Sequence, residues 1–324
     1  MNETFLDWLA CPSCGGDLVS KRPAEAGAES MLACDRCRQR YPVVRGIPRL
    51  VEAENYAASF GFQWNRFRRT QLDSANGTTI SRDRFLAETG WAPASLKGAR
   101  VLDAGAGSGR FVEVALAFGA EVVALDYSSA IDALAANFQD SRRLHLLQSD
   151  ILRLPLKENL FDFVYCCGVL QHTADPRIAL LKLAKRLKPG GRLAVDVYRA
   201  GLAYWTHPRF WLRPVTRRVD SRTLLNWVER WVPIGLPIST AAGRVPGVGR
   251  VLQRAIPVAN YTGRLPLSSD QLREWAVLDT FDWLSAAYDQ PQTPEALHRW
   301  CREAGLVDIE ICQPVMLTAR GRRP

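Results

Sequence analysis

From Arg100 onward, segments with the pattern of strands and segments with the pattern of helices take turns, and no other feature limits the fold so tightly. ARVLDAG (99–105), EVVALD (121–126), RRLHLLQSD (142–150), FDFVYCC (161–167) and RLAVDVY (192–198) are short runs, largely apolar, with the length of strands. Between them RFVEVALAFG (110–119), SSAIDALAANF (128–138) and PRIALLKLAKRLKPGG (176–191) read as helices, Gly119 closing the first and Pro189-Gly190-Gly191 breaking the last. Strands joined through helices run parallel, so the expected class is α/β, a doubly wound sheet whose ligands bind at the carboxyl ends of its strands.

A chain of 324 residues has room for two or three domains. The divisions expected are a metal-binding ribbon at 1–50, a helical connector at 51–97, a cofactor-binding core at 98–198, a basic Trp-rich insertion at 199–290 and a helix with strands completing the core at 291–324. In the connector, Phe60, Trp64 and Phe67 recur at helical spacing and read as a stripe packed on the main domain, with a substrate platform as the alternative; a second helix should run from Ser81 as cap to Gly90 as stop. In the insertion, Leu224, Trp227, Val228 and Trp231 share a helical face, while Pro233 to Gly249 reads as loop. Thr293 and Pro294 open the last helix and Gly305 ends it.

Composition removes whole classes. At 47% hydrophobic and 23% charged residues the chain is neither disordered, collagen-like nor a coiled coil. No apolar run reaches the ~18–20 residues that span a bilayer, and MNETFLDWLACPSC lacks the basic and apolar regions of a secretory leader, so a cytoplasmic location is expected.

Four of the eight cysteines form two knuckles, Cys11-Pro-Ser-Cys14 and Cys34-Asp-Arg-Cys37. Two such knuckles supply four thiolates to one tetrahedral ion, and a full thiolate shell leaves no position for water, so the expected metal is structural zinc. Cys166 and Cys167 lie in an apolar strand and read as core.

VLDAGAGSGR (101–110) carries a strand into a glycine turn and a helix. Gly105, Gly107 and Gly109 let backbone approach a ligand, with Ala104 at the strand end. A dinucleotide site would want a small residue where Arg110 stands, and the acid at Asp103 would repel a pyrophosphate; a ligand with an amino group and a sulfonium suits it better. Asp126 ends the second strand and can accept from both hydroxyls of a ribose, with Tyr127 beside it. Asp150, with the Ile151 backbone, could hold an adenine amino edge. The fourth strand leads through Gly168 to a turn with Gln171, His172 and Asp175.

VLDAGAGSGR, VVALDYS, SDILRLPL, FDFVYCCGVLQHTADP and LKPGGRL, in that order over about a hundred residues, resemble class I S-adenosylmethionine-dependent methyltransferases of the small-molecule type. The resemblance implies a Rossmann-like seven-stranded sheet with its last strand pair antiparallel, and cofactor contacts at Asp103, Gly105, Gly107, Asp126, Asp150 and the backbone near Gly168. It implies for His172 a part in shaping the cofactor pocket, against the alternative of a general base. The N-terminal CPSCGGDL and RYPVVRGIPRL resemble the zinc ribbons of methyltransferase activator subunits and of certain ribosomal-RNA methyltransferases. Methyl transfer from a sulfonium is an in-line displacement, in which orientation alone can supply ~7–11 kcal/mol. A base matters only for a hydroxyl acceptor, and His172, Asp196, His207, Tyr288 and Asp289 are its candidates.

The formal charge of +9 lies entirely in one stretch: residues 199–264 hold 11 Arg, no Lys and the two acids Asp220 and Glu229. The preferred reading is a lid over a small-molecule or glycan acceptor with anionic groups, bound by Arg forks. An RNA surface, with Trp205, Trp211, Trp227 or Trp231 stacking on bases, is the first alternative. A surface for anionic membrane or a lipid-linked substrate is another, and a catalytically inactive cofactor-binding partner protein remains as the non-enzyme reading.

Overall fold

The computed structural model describes residues 3–21, 30–52 and 55–324. An antiparallel meander comes first, with β1 (Leu18–Lys21), β2 (Ser30–Cys34), β3 (Arg40–Val44) and β4 (Ile47–Pro48) in that spatial order. The main sheet is built from β5 (Arg100–Ala104), β6 (Glu121–Asp126), β7 (Leu144–Gln148), β8 (Phe161–Cys166), β9 (Leu187–Val197), β10 (Val307–Cys312) and β11 (Leu317–Arg322). Its order is β10-β11-β9-β8-β5-β6-β7. The five strands from β9 to β7 are parallel, and β11 runs antiparallel to both β9 and β10. The α/β class and the strand count expected from the sequence are therefore the ones observed.

Strand residues alternate between two cores, as a period of two requires. Leu102, Val123, Leu125, Val164 and Cys166 face one cluster, together with Leu180, Leu183, Leu297 and Trp300 of the helices Pro176–Ala184 and Pro294–Glu303. Val101, Val122, Ala124, Phe163 and Tyr165 face the other, with Phe85, Phe111, Val112 and Ile131. Burial on both faces explains why the central strands read as continuous apolar runs.

The meander docks at the β7 edge and shares the first core. Phe5, Trp8 and Leu9 lie in one cluster with Leu125 and Ile151. The Leu50 N–H donates to the Gln148 carbonyl at 2.8 Å, and Arg49 pairs with Asp132 at 2.6 Å.

Three local expectations differ from the structure. Pro189-Gly190-Gly191 does not separate helix from strand: β9 begins at Leu187 and absorbs the triplet, with a register shift opposite Phe161 and Phe163 and Gly190 at φ +79°. Residues 233–243 are helix, the closing part of Ser221–Gly243. Pro233 and Pro237 lie exposed, so the carbonyls they deprive of a donor can meet water, while Val232, Gly235 and Ser239 hold the opposite positions in buried contact. Ser81 is not a cap; the helix Ile80–Thr89 starts after Thr79, and the buried Ser81 hydroxyl donates to the Gln71 carbonyl at 2.7 Å.

A third cluster joins Phe67 to Leu224, Val228, Val232, Leu278 and Phe281, binding the helix Ser221–Gly243 to the helix Ser269–Ser285. Among the described residues no helix is long and apolar enough to cross a membrane.

Candidate active site

A cavity of about 860 Å³ opens over the carboxyl ends of the parallel strands. One half is the strand-end machinery. Gly105 has φ +88°, and a Cβ there would stand 2.4 Å from Val169; Gly107 has φ +54°, and a Cβ there would meet Trp64 at 3.2 Å. Gly105 therefore leaves no room for a side chain, and the positive φ of both residues favours glycine. The turn is tied down by main-chain bonds, since the N–H groups of Gly105 and Ala106 both donate to the Leu125 carbonyl, at 2.8 and 2.9 Å.

Asp126 fixes the same turn from the end of β6. Its Oδ2 accepts from the Gly107 N–H at 2.9 Å, and its Oδ1 from the Ser128 N–H at 2.8 Å and the Ser128 hydroxyl at 2.6 Å. Burial raises its pKa against these hydrogen bonds. Most of the carboxylate is thus committed to backbone, which leaves capacity for one ribose hydroxyl on Oδ2 more readily than for two. Tyr127, Asp150, Ile151 and Gly168 also line the cavity. Asp150 caps the short turn after β7 by accepting from the Leu152 N–H at 2.8 Å.

Asp103 and Ala104 stand behind this lining. Asp103 is buried, accepts from the Tyr165 hydroxyl at 2.8 Å and is pushed up to about 8 by burial, with the charge of Asp126 adding to the effect. Asp196 also lies behind. It is fully buried, pairs with Arg84 at 3.0 Å and accepts from the Gly168 N–H, so its side chain anchors the Gly168 turn. Burial holds its pKa well above the usual carboxylate range, with Glu88 reinforcing the effect.

His172 lines the cavity. Its Nδ1 lies 2.9 Å from the Tyr288 carbonyl, an oxygen that can only accept, so Nδ1 carries the proton and Nε2 is the acceptor. Burial lowers its pKa, which keeps the ring neutral. Tyr288 itself lies outside this cavity, in a shallow groove with Arg217 and Asp220, its ring 4.9 Å from that of Tyr56. His207 and Asp289 are outside it as well; Asp289 is paired with Arg213 at 3.4 Å, and burial lowers His207 to about 4.

The other half of the cavity consists of residues that strand and motif patterns did not reveal: Tyr198, Arg209, Tyr261 and, on the helix Ser269–Ser285, Trp275, Asp279, Asp282 and Trp283. Phe60 and Trp64 belong here too, so two of the three aromatics of the connector stripe face the cavity and only Phe67 is core. Arg209 spreads over the rings of Tyr204, Tyr198 and Trp283 at 4.7, 5.0 and 5.3 Å. The Tyr261 hydroxyl donates to Asp279. Burial lifts Asp279 to about 6 and Asp282 to about 7, the latter further by the charge of Asp289. Gln63, which hydrogen-bonds Asp282, keeps a buried Oε1 without a partner. A sequence signal existed: Trp275, Asp279 and Asp282 recur at helical spacing, acids where an apolar stripe should continue.

Outside the lining of this cavity, Cys11, Cys14, Cys34 and Cys37 bring four sulfurs within 4.8 Å of one another. Gly16 makes room for them, since a Cβ there would stand 3.2 Å from the Cys34 sulfur and 3.4 Å from that of Cys14.

Residues 102–195 match a family described as a methyltransferase domain. O-methyltransferase rstn1 of Aspergillus nomiae is 31% identical over 121 residues, 36% of this chain and 54% of that protein. The ubiquinone biosynthesis O-methyltransferase of Xylella fastidiosa is 38% identical over 119 residues, 34% of this chain and 46% of that protein. The chain thus spans about half the length of these curated relatives. Among solved structures, phosphoethanolamine N-methyltransferase 2 of Haemonchus contortus, in complex with S-adenosyl-L-methionine, is 17% identical, with 84% of this chain and 48% of that one covered and a TM-score of 0.46. The chain carries a class I S-adenosylmethionine-dependent methyltransferase domain, and its seven-stranded sheet is the Rossmann-like sheet of such domains.

Proposed function

We propose that the chain transfers a methyl group from S-adenosylmethionine to a hydroxyl of a small-molecule acceptor. One observation carries the reading: the strand-end machinery and the aromatic chamber line the same cavity, so a cofactor on one side would face an acceptor on the other. Asp126 and Tyr127 would hold the ribose, Asp150 and Ile151 the adenine, and the backbone of Gly105, Gly107 and Gly168 the amino-acid end, with Ala104 and the Asp103 carboxyl behind them. The donors fit such a ligand, because the turn is kept open by glycines and bordered by buried carboxylates. When bound, the cofactor supplies a methyl on a sulfonium whose departure needs no acid.

The chain's own tasks are then orientation, exclusion of water and removal of one proton. Trp64, Trp275 and Trp283 would sandwich a flat, partly apolar acceptor and exclude water. The hydroxyl proton of the acceptor would pass to the neutral His172 Nε2 or to the Asp282 carboxylate. The two curated relatives are O-methyltransferases by name, which is why a hydroxyl is preferred to an amine. The four N-terminal thiolates would hold a structural zinc ion, tetrahedral and closed to water.

Incubation with methyl-labelled cofactor and fractionated cell extract tests the reading. Label should enter soluble small molecules and be lost in the His172→Gln and Asp282→Asn double variant. Label found only in RNA or protein would overturn it. A zinc content of one ion per chain, abolished in Cys34→Ser, is expected from elemental analysis.

A further inference from the structure

Thirteen of the sixteen large apolar side chains that the described residues expose lie between positions 202 and 252. Trp211 is 76% exposed, Val251 71%, Val215 64% and Ile234 58%. They belong to the short helices Leu202–Trp205, Arg209–Thr216 and Gly249–Ala255, to the long helix Ser221–Gly243 and to the turn before Gly249. Scattered exposed hydrophobics are ordinary, but confinement to one segment marks a surface that meets something apolar.

The long helix makes the point geometrically. At about 100° per residue, Trp227, Trp231, Ile234 and Ile238 fall within roughly 60° of one another, a quarter turn from the stripe of Leu224, Val228, Val232 and Ser239 that is already buried. The helix therefore has two apolar stripes, of which the fold covers one. Nine of the eleven Arg between 199 and 264 are also exposed, with only Asp220 and Glu229 to oppose them.

We propose that these helices dock on the headgroup layer of an anionic phospholipid bilayer, Trp, Ile and Val entering the acyl boundary and the arginines pairing with phosphates. Charge selects this occupant. A second copy of the chain would cover the apolar stripe in a two-fold contact, yet would set arginines against the same arginines. RNA would satisfy the arginines but leave Ile234, Ile238, Val215 and Val251 against a polar, hydrated strand. An anionic bilayer satisfies both sets at once, with tryptophan at the interface, where its amphipathic ring is most at home. Since none of these helices can span the bilayer, the contact is with one leaflet.

Flotation of the full chain with phosphatidylcholine vesicles, with and without phosphatidylglycerol, tests the proposal. The protein should float with the anionic vesicles, float poorly with the neutral ones, and lose the anionic preference at 0.5 M salt. Replacing Ile234 and Ile238 by Asp, or Arg222 and Arg230 by Glu, should lower the bound fraction about tenfold or more. All four positions are solvent-exposed, and unchanged circular dichroism and S-adenosylhomocysteine binding would show that the variants fold. Absence from the floated fraction overturns the proposal, as does undiminished flotation of the Ile234→Asp, Ile238→Asp protein. A lipid-free dimer by sedimentation that this variant dissociates, without flotation of the parent, would assign the surface to self-association and overturn it equally.

Discussion

The two halves of the cavity are made in opposite ways. The strand-end half is mostly main chain: glycines at positive φ, N–H groups on the Leu125 carbonyl, and the Asp126 carboxylate clamped to Gly107 and Ser128. The facing half is mostly side chain: Trp, Tyr, Arg and Asp from segments distant in sequence. A backbone-built pocket fixes one ligand and tolerates little change, whereas a side-chain-built chamber can be remodelled for a new acceptor without disturbing the first.

That contrast breaks most easily at Asp126. Removing its carboxylate takes away a charged acceptor and the tether of the glycine turn together, at about 1.5–3 kcal/mol, so Asp126→Ala should weaken S-adenosylhomocysteine binding about 100-fold in calorimetry. Equal binding would mean that the strand-end half is not the cofactor site.

The next effect belongs to the facing half and depends on pH. Asp282 sits near 7 because of its burial, and activity that needs its carboxylate should fall about tenfold for each unit below that value. The stability sign is the reverse. A carboxyl raised in the folded state contributes stability that is complete below about pH 4, its unfolded value, and is lost as pH rises through about 7. Activity should therefore climb between pH 6 and 8, while the melting temperature should decline from about pH 4 to about 7 and then level off, and Asp282→Asn should flatten both curves. A rate profile unchanged in that variant would leave His172 as the proton acceptor.

Trp283→Ala should lower kcat/KM for the acceptor by about tenfold while leaving cofactor binding within twofold, since an aromatic contact is worth about 0.5–1.5 kcal/mol beyond its burial. Loss of cofactor affinity as well would show that the halves are not separable. Gly107→Ala gives the smallest effect. Its Cβ would press on Trp64 at 3.2 Å, which a small shift of the ring relieves, and the φ of +54° costs an alanine about 1 kcal/mol, so a few-fold loss in both affinities is expected. As Trp64 belongs to one half and Gly107 to the other, that modest loss reports their contact.

The same contrast governs what could be read from the sequence. Glycines and strand-end acids are local requirements of a strand–turn–helix, and they stand at positions that alternation of elements already marks. Beyond the spacing of Trp275, Asp279 and Asp282 the chamber has no local signature, because Tyr198, Arg209, Tyr261 and Trp283 meet only through tertiary packing. Asp103 and Asp196 show the limit from the other side. Their positions at strand ends suggested contact with a ligand, but the pleat turns both carboxyls inward, onto Tyr165 and Arg84. Pro233 and Pro237 argue for a break that packing of Val232 and Ser239 overrides, and the helix they fail to stop carries the exposed stripe.

One consequence follows from the meander that sits beside β7. An outermost strand offers a row of unpaired amides and carbonyls to any other chain, a standing invitation to misassembly. Here Arg49 bridges to Gln148 and Leu50 donates to it, so the first fifty residues act as a stopper at that margin of the sheet. A chain shortened to begin beyond Leu50 should gain an adhesive border along β7, and its fate in concentrated solution would be precipitation rather than simple loss of a domain.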